Sequence, residues 1–115
     1  MPRIDIDANN VYDPLTDGML MVRRMFGLTG QALTGGVLGA AATRIDPTLV
    51  AQYIDNIKPL LDVDGNGLAD PYTDGVLLIR YLFGLRDAAL VDNATGPMAT
   101  RTTGQIQTHI QSLMQ

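Results

Sequence analysis

Side chains that carry oxygen recur at alternate positions in the stretch LDVDGNGLADPYTDG, residues 61–75. Counted from the first acid, they stand at positions 1, 3, 5 and 9, with a glycine at position 6. This is the spacing of an EF-hand calcium loop, in which alternate side chains and one main-chain carbonyl, at position 7, surround a hard cation. The predicted ligands are therefore Asp62, Asp64, Asn66, the main-chain carbonyl of Leu68, and Asp70.

The acid that normally closes such a loop is displaced by one residue. Position 12 is Thr73, and the next carboxylate belongs to Asp74. One step along a helix rotates a side chain by about 100°. Asp74 nevertheless lies four residues after Asp70, so both side chains share one helical face above the helix N-terminus. We therefore assign Asp74 as the closing ligand, which requires a local adjustment of the backbone.

The N-terminal part of the chain carries the same pattern. Its predicted ligands are Asp5, Asp7, Asn9, the main-chain carbonyl of Val11, Asp13 and Asp17. Asn10 stands where the other loop has Gly67, and asparagine tolerates the left-handed conformation better than most residues. A single acidic turn is often only a solvated loop with a helix cap. Two copies in the same register favour metal binding instead.

The elements that must position these loops also repeat. A shift of 57 residues without a gap places residues 4–28 on residues 61–85, and the register continues to the C-terminus, with Arg44 on Arg101 and Ile57 on Met114. We predict a single domain, residues 1–115, made of two repeats, residues 1–57 and 58–115. Neither repeat has enough apolar surface for a separate core, so the two are expected to pack together about a pseudo-two-fold axis.

Helix signals after each loop predict an all-α fold of two loop-helix-helix repeats. In the second repeat Asp70 suits the N-cap, Pro71 suits the first helical position, and Gly84 suits the C-terminal cap after the apolar run VLLIRYLF. The first repeat has the same signals around MLMVRRMF. A second helix is predicted to begin at Pro47, capped by Asp46.

The second helix of each repeat is predicted to bury an apolar stripe. In the first repeat the stripe comprises Leu49, Val50, Tyr53, Ile54 and Ile57. In the second repeat it comprises Ile106, Ile110, Leu113 and Met114. The spacing of both sets is typical of an amphipathic helix on a shared core.

Composition favours two bound Ca²⁺ ions. All 12 acidic residues are aspartate, and eight of them lie in the two loops, where they would repel one another without a cation. The net charge is −4, which two Ca²⁺ ions would bring close to neutral. Mg²⁺ is less suitable, because it prefers a tighter octahedron and retains water. Cysteine is absent, which excludes a disulfide framework and a thiolate zinc site.

Other classes of function find little support in the sequence. No apolar run is long enough for a membrane span, and the segment MPRIDID lacks the apolar region of a signal peptide, so Met1 and Pro2 are expected to begin an excised module. The scattered basic residues form no nucleic-acid footprint. The lone His109 is expected to be a surface residue. No nucleophile, base and orienting group recur together, so we expect no enzyme.

The two loops resemble those of a known protein family. A pair of DxDxN(G/N)xxDxxxD loops, each followed by a hydrophobic helix that ends near MFGL or LFGL, is similar to the duplicated calcium-binding repeat of type I dockerin modules and their bacterial dockerin-like relatives. The resemblance covers residues 4–28 and 61–85. It implies a noncatalytic extracellular or cell-surface module of a larger protein, which docks onto a cohesin-type protein domain. The isolated module is expected to be a monomer.

The resemblance also implies a partner surface, because dockerin recognition residues flank the ions near the start of each exit helix. The partner-binding residues predicted from the resemblance are Pro14, Leu15, Pro71 and Tyr72. Arg23 and Arg80, which occupy matching positions within the apolar helices, are two further candidates, and they could instead project outward or cap main-chain carbonyls of the other half. Two hypotheses follow. The chain is either an adaptor that binds a protein partner, or a calcium-stapled structural segment of a large extracellular protein with no dedicated partner.

Overall fold

The part of the chain described by the computed structural model, residues 3–115, is all-helical, as predicted. It contains six α-helices and no β-strand. The helices are α1 Met19–Met25, α2 Gly30–Thr34, α3 Pro47–Ile57, α4 Asp74–Leu82, α5 Ala88–Val91 and α6 Thr103–Ser112. A π-helical turn, Pro14–Gly18, precedes α1, and a 3₁₀ turn, Lys58–Leu61, follows α3. The expectation for Met1 and Pro2 lies outside the described residues.

Local capping residues determine the ends of several helices. The Asp46 carboxylate accepts a hydrogen bond of 2.9 Å from the N–H of Thr48 at the start of α3, as predicted. Thr102 and Gln105 form a reciprocal capping box at the start of α6. Gly84 follows α4 with a φ of 97°, which confirms the predicted left-handed cap. Within residues 3–115, no helix has the length and apolar character needed to cross a membrane.

The first helix of each repeat begins later than the sequence predicts. Asp13 and Asp70 each accept a hydrogen bond of 2.7 Å from the main-chain N–H two residues later. The N–H groups of Gly18 and Gly75 then bond to the carbonyls of the same two aspartates, five residues earlier, at 3.2 and 3.1 Å. This bond spans one residue more than an α-helical bond. The first turn is therefore wider, and regular α-helix does not start at the prolines.

The hydrophobic core draws residues from both repeats. Val50, Ile54 and Ile57 lie on one face of α3 and are buried. Leu49 was predicted to join this stripe but is 55% exposed, because it lies about 100° around the helix from Val50. The largest fully buried side chains in the rest of the core are Ile4, Ile6, Leu20, Met21, Leu33, Leu61, Leu77, Leu78, Leu90, Ile106 and Ile110.

The acidic loops themselves contribute to this core. Ile4 and Ile6, on either side of Asp5, are fully buried, and so are Leu61 and Val63, on either side of the first acid of the second loop. In an extended segment alternate side chains point to opposite sides. Each loop therefore places apolar side chains in the core and its acids on the opposite side.

Two glycines permit close contact between the starts of α1 and α4 and the facing helix. A Cβ atom at Gly18 would lie 2.9 Å from Cγ1 of Ile79, and one at Gly75 would lie 2.9 Å from Cγ2 of Val22. Real Cβ atoms essentially never approach this closely. The contact therefore requires glycine at both positions.

We expect Gly75→Val to destabilise the fold, because the added methyl groups would overpack the contact with α1. The expected loss is about 1–3 kcal/mol of the free energy of unfolding, measured by urea denaturation. The matched control is Gly104→Ala in α6, where a Cβ atom would meet nothing within 4 Å. That control should gain about 0.5–1 kcal/mol from helix propensity. Equal unfolding midpoints for the two variants would contradict the packing argument.

Candidate metal centres

Three carboxylates converge in each acidic loop. In the first group, Asp5, Asp7 and Asp17 are buried, and each offers an oxygen within 4.8 Å of the others. The second group, 57 residues later, consists of Asp62, Asp64 and Asp74. Buried carboxylates at this separation repel one another unless a proton or a cation lies among them. Each group could therefore hold a metal ion.

The widened first turn explains how the displaced acid reaches each group. Asp17 Oδ1 accepts hydrogen bonds from the N–H groups of Ile6 and Asp7, at 2.7 and 3.3 Å, and Oδ2 accepts one from Asp13 at 3.0 Å. Asp74 accepts the three equivalent bonds at 2.8, 3.1 and 2.9 Å. A carboxylate has about four lone-pair positions, so each side chain retains one for a metal. Ligation by these two acids stays a prediction.

Main-chain hydrogen bonds fold each loop around its first acid. The Asp5 carboxylate accepts bonds from the N–H groups of Asn9 and Asn10 at 3.2 and 2.8 Å. Asp62 accepts the matching bonds at 3.2 and 2.8 Å. The residues at position 6 have positive φ, 65° at Asn10 and 91° at Gly67. This confirms the prediction that asparagine could replace glycine at the sharp turn.

The other predicted ligands lie in the same loops but outside the two carboxylate groups. They are Asn9, Asp13, Asn66, Asp70 and the main-chain carbonyls of Val11 and Leu68. The four side chains each accept a hydrogen bond from the N–H two residues later, at 2.7–3.1 Å. Such bonds fix the side chains locally and leave further lone pairs free. Metal ligation by these groups stays a prediction.

Buried oxygens without a hydrogen-bond partner occur within the two loops and their exit turns. In the part of the chain that the structure describes, they are Oδ1 of Asp7 and the hydroxyl oxygens of Thr16 and Thr73. The Asp7 side chain is fully buried and belongs to the first carboxylate group. The threonines occupy position 12 of each loop. A buried polar atom without a partner costs about 1–3 kcal/mol, so Oδ1 of Asp7 fits a site completed by a cation.

A connector strap holds the first loop from outside, a feature that the sequence analysis missed. We use this name for residues 39–44 and for residues 96–101. The N–H of Gly39 donates to Asp7 Oδ2 at 2.7 Å, and the N–H groups of Thr43 and Arg44 donate to the Asp7 carbonyl at 2.9 and 3.0 Å. The Asn9 side-chain amide donates to a strap carbonyl at 3.1 Å.

The second strap makes the same contacts with the second loop. The N–H of Gly96 donates to Asp64 Oδ2 at 2.7 Å, and those of Thr100 and Arg101 donate to the Asp64 carbonyl at 2.9 and 3.1 Å. Both straps have the sequence GxxATR. This shared motif, in the register of the repeat, was the available sequence signal for a role beside the loops.

Burial raises the pKa of both Asp17 and Asp74 to about 7. Hydrogen bonds from main-chain N–H groups around each carboxylate oppose this effect, and the nearby acids Asp7 and Asp64 reinforce it. Without a cation, each closing acid is therefore about half protonated at pH 7.

The raised pKa values of Asp17 and Asp74 predict how the stability of the fold depends on pH. In protein stripped of metal, the melting temperature should rise as pH is lowered from 7.5 towards 5, because the folded chain binds more protons than the unfolded chain between pH about 3.9 and 7. At saturating metal the sign should reverse, since protons compete with the ion for the carboxylates. Calorimetry with and without metal measures both slopes. A metal-free melting temperature that is constant over this range would contradict the prediction.

The predicted partner-binding residues divide into two kinds of environment. Leu15 and Tyr72 are 61% and 70% exposed beside the two loops, while Pro14 and Pro71 are partly buried. The Tyr72 ring contacts the ring of Phe26 edge-on, with 5.3 Å between centroids. An aromatic pair from the two repeats therefore lies on the surface next to the second loop.

The two predicted arginines contact main-chain carbonyls of their own repeat, not of the other repeat as one alternative expected. Arg23 Nη1 donates to three carbonyls at the end of α2 at 2.9–3.4 Å. Arg80 Nη1 donates to the carbonyls of Leu90 and Asp92 at 3.1 and 2.7 Å. A partner-binding role for the arginines stays a prediction.

His109, which is expected to be a surface residue, is partly buried. Its Nε2 lies 2.7 Å from the carbonyl oxygen of Leu60.

Comparison of this chain with protein-family models, with curated proteins and with solved structures found no match. The functional interpretation therefore depends on the residues and their geometry.

Proposed function

We propose that this chain is a noncatalytic, dockerin-like module that binds two Ca²⁺ ions and mediates calcium-dependent interaction with a protein partner of the cohesin type. It would act as part of a larger secreted or cell-surface protein. The buried oxygens without a partner at Asp7, Thr16 and Thr73 carry the metal-binding part of the proposal. Asp7 belongs to the first carboxylate group, where a cation would supply the missing partner, and each threonine directly precedes the closing acid of its loop.

We also propose that the fold consists of two equivalent units related by a pseudo-two-fold axis, each with an EF-hand-type loop. The support is that residues with positive φ within residues 3–115 pair at a separation of 57. The six pairs are Ala8 and Gly65, Asn10 and Gly67, Gly27 and Gly84, Gly30 and Asp87, Gly36 and Asn93, and Ala41 and Met98. Several pairs contain one or two residues other than glycine, so the positions of the glycines alone do not explain why positive φ values recur at this separation.

Calcium is the ion that the donor set favours. All the candidate donors are oxygen atoms, and the loops offer carboxylates, amide oxygens and main-chain carbonyls at many positions. Ca²⁺ accepts six to eight such ligands in flexible geometry, whereas Mg²⁺ requires a near-ideal octahedron and retains water. Thiolate ligands are excluded by the absence of cysteine.

We expect Asp5→Ala and Asp62→Ala each to remove one ion. Each substitution deletes a carboxylate that belongs to one group and folds one loop. Titration calorimetry should give two ions for the parent chain and one for each variant. The control is Asp92→Ala, outside both loops, which should retain two. A stoichiometry of two in either loop variant would show that the ligands are misassigned.

The adaptor hypothesis is favoured by the exposure of Leu15 and Tyr72 next to the loops. Capture of the chain by immobilised cohesin domains, with calcium and then with chelator, tests it. Capture that requires calcium and is lost in Leu15→Ala/Tyr72→Ala supports the adaptor. A chain that binds two ions but is not captured would overturn the cohesin-type partner and leave the second hypothesis.

The second hypothesis is a calcium-stapled structural segment without a dedicated partner. It is favoured by the straps, which form hydrogen bonds with the loops and lead into α3 and α6. In this case ions stabilise the segment where disulfides are absent. Its distinguishing property is calcium-dependent stability without calcium-dependent capture.

A further inference from the structure

We infer that Gly39 and Gly96, in the connector straps, are positioning residues that set the metal affinity of the first and second site respectively. The inference rests on the proposed metal binding and extends it to residues 32 positions away from the acids that they contact. Neither glycine belongs to the acidic loops, and neither has a positive φ that would by itself demand glycine.

The first argument is the hydrogen bond that each glycine donates. The N–H of Gly39 holds Oδ2 of Asp7 at 2.7 Å, and Oδ1 of the same carboxylate is buried without a partner. The carboxylate is therefore fixed with one oxygen on the strap and the other free for the ion. Gly96 holds Oδ2 of Asp64 at 2.7 Å, while Oδ1 of that carboxylate accepts a bond of 3.3 Å from the N–H of Asn66 and keeps a further lone pair for the ion.

The second argument is the lack of space for a side chain at either position. A Cβ atom at Gly39 would lie 2.8 Å from Asp7 Oδ2 and 2.5 Å from Asn9 Nδ2. At Gly96 it would lie 3.2 Å from Asp64 Oδ2 and 2.6 Å from the amide nitrogen of the matching asparagine. The strap approaches the predicted ligands this closely only because both residues lack Cβ.

The atoms nearest to the added Cβ determine whether the substitution affects metal binding or the stability of the fold. The nearest atoms that each added Cβ would meet belong to side chains and not to the main chain. The closest are the amide nitrogens of Asn9 and Asn66, whose partly exposed side chains can move at little cost to the fold and are predicted metal ligands. Alanine at either position should therefore displace ligands while the fold persists.

The test is titration calorimetry of Ca²⁺ with the full chain and the variants Gly39→Ala and Gly96→Ala. Outer contacts that orient metal ligands typically change affinity by about 10–100-fold when they are altered. We expect a loss of this size at one site in each variant, with a smaller change at the other site. The loss should be greater for Gly39→Ala, since its Cβ would lie nearer to the carboxylate oxygen.

Two controls keep the result interpretable. Gly104→Ala adds a Cβ where nothing lies within 4 Å, and it should bind both ions with parental affinity. The melting temperature of each strap variant in chelator should stay within a few degrees of the parent, which a purely structural role would not allow. If the parent chain bound no Ca²⁺, the proposed function would fail. If the parent bound two ions and both strap variants matched it, only this inference would be overturned.

Discussion

Removal of metal is expected to lower the melting temperature of this chain by about 20 °C. An ion that binds only the folded state contributes about 2.7 kcal/mol at a ligand concentration one hundred times the dissociation constant. Two such ions would supply roughly 5 kcal/mol, and a domain of this size loses about 4 °C or more for each kcal/mol. Differential scanning calorimetry in excess calcium and in excess EDTA measures the difference.

The ion-free loops explain why so large a loss is expected. Each would bring three carboxylates within 4.8 Å of one another, with at least two of them buried. Protonation of Asp17 and Asp74 relieves only part of this repulsion. Unchanged circular dichroism and an unchanged melting temperature in EDTA would lead us to abandon the calcium proposal.

The second large effect is expected for Asp74→Ala. The substitution would leave three main-chain N–H groups without their acceptor, those of Val63, Asp64 and Asp70. Because an unsatisfied buried donor costs about 1–3 kcal/mol, we expect the free energy of unfolding to fall by more than about 3 kcal/mol. The variant should also bind one Ca²⁺ fewer. Urea denaturation and titration calorimetry measure the two effects.

Two further variants separate the causes of this loss. Asp46→Ala removes a helix cap outside the loops and should cost only about 1 kcal/mol, with both ions retained. Asp74→Asn keeps an oxygen for the N–H groups of Val63 and Asp64 but places an amide nitrogen against the N–H of Asp70. The stability of this variant should therefore lie between those of Asp46→Ala and Asp74→Ala. An Asp74→Ala chain as stable as Asp46→Ala would contradict the structural role of this carboxylate.

Much of the helical architecture could be predicted from local signals. Asp46 and Pro47 mark the start of α3, and Gly84 marks the end of α4, because capping depends on a few neighbouring residues. Leu49 was assigned incorrectly to the buried stripe. Spacing of three or four residues identifies a broad apolar face, but the position of the neighbouring helices decides which edge of that face is covered.

The widened first turn could not be predicted in the same way. An aspartate followed by proline fits the start of an α-helix and the start of a π-turn equally well, since both need a capped N–H and tolerate proline. What distinguishes them is whether the N–H of Gly18 reaches a carbonyl four or five residues earlier. The displaced acid at Asp17 was a sign of an irregular turn, but its form depended on three-dimensional contacts.

The straps were beyond sequence reasoning for a different reason. Gly39 and Thr43 recur as Gly96 and Thr100, so the repetition was visible. Their partners lie more than 30 positions earlier, and spacing within a loop carries no information about contacts at that distance. The recurring glycine therefore indicated that this position is constrained, but it did not indicate which residues the glycine contacts.

The alternation of apolar and acidic residues in each loop also has a consequence for binding. Ile6 and Val63 are buried in one core, while the acids beside them belong to separate carboxylate groups. If each loop binds an ion as proposed, the ion that orders one loop also orders part of the core that both loops share. Entropy lost at the first binding step need not be lost again at the second. The proposed sites should therefore be thermodynamically linked, and their titration should be positively cooperative.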